Sequence, residues 1–75
     1  MTKERRKQIE EIREKLDELH DSLYDIWEWE QETVENTPDR DKWKDSYEGA
    51  VKASSELDEA LFNIRRALDN INNAI

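Results

Sequence analysis

Apolar positions recur at alternating steps of three and four along almost the whole chain, which is the spacing of a helix face. In the first half they are Ile9, Ile12, Leu16, Leu19, Leu23 and Ile26, a heptad seam with Ile9 at a and Ile12 at d. The seam then reaches Glu30 and Thr33 and turns polar, while Trp27 and Val34 carry the apolar face sideways to e. This predicts a first helix over about residues 3–35. In the second half the seam runs through Trp43, Tyr47, Ala50, Ser54 and Leu57, then Leu61, Ile64, Leu68, Ile71 and Ile75, with no slip of phase. It predicts a second helix over about residues 38–73. Gly49 costs that helix roughly 1 kcal/mol relative to Ala. The unbroken phase predicts continuity through it, with a break near Gly49 and three helices as the alternative.

Between the two patterns lies Glu35-Asn36-Thr37-Pro38-Asp39. Residues 36–37 read as the turn. Thr37 suits an N-cap and Pro38 a first helical position, and Asp39 and Asp41 would put negative charge at the positive end of the second helix. A turn this short makes the helices antiparallel neighbours. Folding there would set Leu23 near Ala50, Leu19 near Ser54, Leu16 near Leu57, Ile12 near Leu61 and Ile9 near Ile64. Leu68 and Ile71 would then face Arg5 and Thr2, and Ile75 would face nothing.

The expected fold class is therefore all-α, one domain made of two long antiparallel helices. A second apolar row accompanies the main seam: Ala53, Ala60, Ala67 and Ala74 repeat every seven residues at g. Small residues let another helix approach closely, although Ala is also simply a good helix former. Ala53, Ala60, Ala67 and Ala74, with Leu68 and Ile71, are expected to form a self-association face, giving a homodimer and a four-helix bundle.

Composition narrows the class. Charged residues are 43% of the 75 and hydrophobic residues 35%, a balance that would suit disorder without the periodicity. Cys is absent, which excludes a disulfide framework and thiolate metal sites. No stretch is apolar enough for a signal-peptide core or a membrane span, so a cytoplasmic location is the expectation. The formal net charge of −8 disfavours nucleic acid and anionic membrane as direct ligands and favours a basic protein surface.

That charge is concentrated. Residues 16–39 hold nine acidic groups and no Lys or Arg. Glu11, Glu14, Glu18 and Asp21, then Asp25, Glu28, Glu32 and Glu35, occupy successive c and f positions opposite the a/d seam. They form a row of one sign roughly 36 Å long at 1.5 Å per residue. Like charges three and four apart cost a helix about 0.2–0.5 kcal/mol per pair. A solvated outer face is one reading; a mimic of a nucleic-acid backbone, fitting a Lys/Arg groove built for phosphates, is the other. Averaged along the row, the carboxylates lie near 5 Å apart, the same order as phosphate spacing in duplex DNA.

Aromatic residues cluster toward the turn. Trp27, Trp43 and Tyr47 are expected to plug the tip of the bundle. Tyr24 and Phe62 at b and Trp29 at g are expected on the outside. There they join Glu14, Glu18, Asp21, Asp25, Glu28, Glu32 and Glu35 as partner-binding candidates.

Catalytic chemistry is thin. There is no Gly-rich phosphate loop and no nucleophile–base set, so no enzyme and no cofactor are expected. Asp17 and His20 spell D-x-x-H on one helical face, a fragment of bundle di-metal sites, but the other acids point outward and Glu30 is the one inward carboxylate. No metal is expected. The interrupted basic run Lys3-Glu4-Arg5-Arg6-Lys7 reads as a solvated, frayed end.

Two functions follow. The first is a non-enzymatic inhibitor whose acidic face occupies the nucleic-acid-binding surface of a basic protein, such as a nuclease. In size, charge and helical content the chain resembles, as a class, the small acidic proteins of phages and mobile elements that block restriction or CRISPR nucleases. The second is a structural or adaptor hairpin acting through self-association.

Overall fold

Strong helix formers from Lys3 onward and a capping hydroxyl at Thr2 start the first helix. Thr2 Oγ1 accepts the backbone N–H of Arg5 at 3.2 Å. In the computed structural model, which describes residues 1–75, α1 spans Lys3–Asn36 and α2 spans Asp45–Ala74. The basic run is thus helical from Lys3. A single turn of 3-10 helix, Asp39–Asp41, lies between the two. There are no strands. The molecule measures 59 × 15 × 15 Å, the outline of two long rods side by side. No helix is long and apolar enough to cross a membrane.

The connection corrects the expected two-residue turn, and its cause is local. Thr37 precedes Pro38, and the proline ring bars the preceding residue from the α region. Thr37 accordingly sits at φ −78°, ψ 121° and ends α1. Its hydroxyl turns back to donate to the carbonyl of Thr33. Pro38 is itself extended at ψ 152°, so it cannot serve as the first residue of α2. The chain crosses in a turn braced by two ion pairs three residues apart, Lys42 Nζ to Asp39 at 2.8 Å and Lys44 Nζ to Asp41 at 3.2 Å. Only at Asp45 does α2 begin, and it then runs unbroken through Gly49.

The longer connection moves the register. Arg13 Nη1 donates to Asn72 Oδ1 at 2.8 Å, and Trp27 Nε1 donates to the carbonyl of Ser54 at 3.1 Å. The Ser54 hydroxyl donates to the side-chain oxygen of Gln31. These three links put Leu16 level with Leu68 and Leu23 level with Leu61, not with Leu57 and Ala50 as a turn at 36–37 would have it. Helix α1 therefore covers α2 to its end, and residues 3–8 of α1 are the part that overhangs.

The core is a single narrow row. Ala50, Ser54, Leu61 and Leu68 are the four buried residues, all on α2. Opposite them α1 lays Ile9, Leu16 and Leu23, all half-buried, together with the e positions His20, Trp27 and Val34. The contact seam of α1 is thus a/e and not a/d. Rows a and d were one plausible stripe and rows a and e another. Trp27 and Val34 at e, with the hydrogen bonds of Arg13 and Trp27, decide for the second. The d row, expected in the core, is left outside: Ile12 is 57% exposed, Leu19 63% and Ile26 53%. Trp43, expected to plug the tip, is 74% exposed, because the 3-10 turn carries it out of the α2 seam.

Candidate protein-docking surfaces

The acidic row is where the c/f periodicity of α1 puts it, on the side of that helix away from α2. Glu14, Glu18, Asp21 and Asp25 are exposed, as are Glu28, Glu32 and Glu35, and Glu11 extends the row toward the N-terminus. No Lys or Arg pairs with any of them. One contact in the row is local, between Asp21 Oδ1 and Nδ1 of the neighbouring His20 at 3.5 Å. The four basic side chains that do form pairs or bridging hydrogen bonds, Arg13, Arg40, Lys42 and Lys44, use them elsewhere. The last turn of α1 has no basic residue either, so Glu32 and Glu35 face the negative end of the helix dipole uncompensated. The field of the row reaches its neighbours: Glu28, and to a lesser degree Asp25, holds the Tyr24 phenol above its ordinary pKa.

Aromatic side chains border the row on both edges. Tyr24 at b lies on one side and Trp29 at g on the other, both exposed. Tyr24 leans on Trp27, with ring centroids 5.5 Å apart. It also shares a shallow cleft of about 300 Å³ with Phe62, His20, Leu61 and Arg65 across the helix boundary. The register therefore brings together Tyr24 and Phe62, residues 38 positions apart that periodicity alone placed on separate helices. Trp29 stands apart from them, over a cleft that includes Glu32, Thr33, Asp41 and Lys44 at the connection.

The self-association candidates divide. Ala53, Ala60, Ala67 and Ile71 are half-buried along one flank of α2, and Ala74 is exposed at its end. Leu68 is buried within the hairpin and is not available to a partner. Ile12, Leu19 and Ile26, which the heptad reading had assigned to the core, join the accessible apolar surface instead. The signal that could have revealed them was the drift of the apolar face to Trp27 and Val34 at e.

Metal-binding geometry does not develop. No group of three or more His, Asp or Glu side chains converges on any point, so the D-x-x-H fragment at Asp17 and His20 gathers no further ligands. Glu30 is half-exposed at the level of Ser54.

No family model fits the chain, and neither the curated proteins nor the solved structures include a significant match. The functional reading thus rests on the physical chemistry of these surfaces.

Proposed function

We propose that the chain is a non-enzymatic binding protein that docks the acidic face of α1 on a basic surface of a nucleic-acid-binding protein and so acts as its inhibitor. The observation that carries this reading is the row of eight carboxylates with no Lys or Arg partner. Mixed charge on an exposed helix face gains a few tenths of a kcal/mol per pair, whereas this face loses that amount repeatedly. A cost maintained over the length of a helix calls for a compensating interaction outside the chain. A groove of Lys and Arg built for phosphates supplies it, and the field of the row would speed the encounter. Tyr24 and Trp29 on the two borders add the aromatic anchors that concentrate binding energy at interfaces.

The test is affinity capture from lysate at low and high salt, with the chain and with a variant carrying Asp21→Asn, Asp25→Asn, Glu28→Gln and Glu32→Gln. The expected result is a basic nucleic-acid-binding protein held at low salt, released at high salt and not held by the variant. Capture unchanged by the four substitutions would rule the reading out.

A second reading is a structural or adaptor hairpin that self-associates into a four-helix bundle. The exposure of Ile12, Leu19 and Ile26 favours it. The two readings use neighbouring faces of the hairpin that meet at Trp29.

A further inference from the structure

The two long flanks of the hairpin differ in chemistry. In antiparallel neighbours at about 100° per residue, like-lettered positions of both helices fall on the same flank. The clefts on one flank are lined from e and b positions and are rich in charge, including Asp17, Asp58, Arg65 and Asp69. The other flank carries the d and g positions. There α1 presents Ile12, Leu19 and Ile26, each more than half exposed. Beside them α2 sets half-buried Leu57, Ile64 and Ile71. Further out on α2 come Ala53, Ala60 and Ala67. Lys15 is the one charged residue among the d and g positions from Ile12 to Thr33 and from Ala50 to Ala74.

The elongated outline exposes enough surface for a second copy to cover. A compact monomer of this mass exposes about 4,900 Å². This chain exposes 6137 Å². The excess, roughly 1,200 Å², is more than the ~800 Å² that each partner gives up in a standard interface. The flank runs roughly 36 Å at 1.5 Å per residue and is nearly free of charge. A second copy of the same hairpin matches it in length and in polarity, and a symmetric dimer is the commonest way such a face closes.

Two symmetric arrangements place these flanks together. With the two-fold axis across the hairpin, α1 lies on the partner's α1 and the connections sit at opposite ends. That arrangement brings two acidic rows onto one side, and stacking the large d row of α1 on itself holds the Ala rows of α2 out of contact. With the axis along the hairpin, α1 lies on the partner's α2 and the connections sit at the same end. The large side chains of the d row then meet the small Ala row, and the two acidic rows fall on diagonally opposite corners. Size complementarity and charge both select the second arrangement.

We propose that a second copy covers the d/g flank with both connections at the same end, each α1 packing on the partner's α2 and both acidic rows facing outward. This rests on the self-association reading above and specifies its interface.

The test uses the chain with Arg40→Cys, an exposed position in the connection, carrying a spin label. Sedimentation should give a dimer at micromolar concentration, and dipolar spectroscopy should give a label separation within roughly 30 Å, a few interhelix spacings. A separation approaching the 59 Å length of the molecule would overturn the arrangement, and a monomer would overturn the interface altogether. Adding Leu19→Asp should weaken dimerisation at least tenfold by placing a charge in the apolar contact; unchanged dimerisation would again contradict it. If that variant also loses helicity, the label distance on the unaltered flank still decides. The variant neutralised at Asp21, Asp25, Glu28 and Glu32 should dimerise like the parent chain, so failure of the acidic-face reading and failure of this interface are separable.

Discussion

A serine inside an apolar seam is costly unless its hydroxyl is paired, and Ser54 is paired twice over. Its hydroxyl donates to Gln31 and its carbonyl accepts the indole N–H of Trp27. In sequence Ser54 reads as a flaw in the heptad; in the fold it locks the register of the helices. Trp27→Phe keeps the ring and removes the donor, and should destabilise the hairpin by about 1 kcal/mol in urea titrations at fixed chain concentration. Leu61→Ala, in the buried row, should cost about 2–5 kcal/mol in the same measurement. Three ionisations report the local fields. The hydrogen bond and charge of Lys42 hold the Asp39 carboxyl below its ordinary value, and Asp39 in turn raises the Lys42 ammonium. The Asp39 contribution is present above the unfolded carboxylate pKa and lost as pH falls through the lowered one. The Lys42 contribution is present below the unfolded ammonium pKa and lost as pH rises through the raised one. Tyr24 titrates high because of Glu28. In a spectrophotometric titration Glu28→Gln should bring its phenol down toward the ordinary value, and an unmoved phenol would place Glu28 elsewhere.

At the scale of elements, the helices were legible and their relation was not. Strict periodicity and the scarcity of breakers disclose two long helices and the continuity through Gly49. The choice between rows d and e as the partner of row a is not in the period, since both stripes share a. Trp27 and Val34 at e point to the second stripe, and the hydrogen bonds from Arg13 to Asn72 and from Trp27 to Ser54, which exist only after the helices meet, settle it. The connection was misread because Pro38 suits a first helical position in general. Here Thr37 and Pro38 are both extended, and the ion pairs of the 3-10 turn make the crossing. That displacement moves every facing pair along α2. Gly49 has nothing within 4 Å of where a Cβ would stand, and it lies inside α2. Gly49→Ala should therefore stabilise the chain by about 1 kcal/mol and raise its melting temperature. Repulsion along α1 is screened by salt, so the melting temperature should rise between roughly 0.05 M and roughly 0.5 M sodium chloride, checked by circular dichroism. A chain held together mainly by surface ion pairs would show the reverse.

For the whole molecule, the informative quantity is what the hairpin leaves outside. Four buried residues make a thin core for 75, and one flank leaves Ile12, Leu19 and Ile26 more than half exposed. The outer side of α1 carries charge that nothing within the chain answers. The acidic row was legible in the sequence because it depends on one helix alone. The apolar flank was only half legible: the Ala row was visible, but the Ile12, Leu19 and Ile26 row was hidden behind the assumption that a heptad seam is a core. The joining of Tyr24 to Phe62 depends on the register and was out of reach. The measurement that bears most directly on the function is competition with duplex DNA for a captured basic partner, repeated as salt rises. Docking of the acidic row in a phosphate groove predicts that the chain displaces the DNA, with an apparent affinity that falls at least tenfold between about 50 mM and about 200 mM salt. A ternary complex with DNA still bound, or an affinity indifferent to salt, would contradict it.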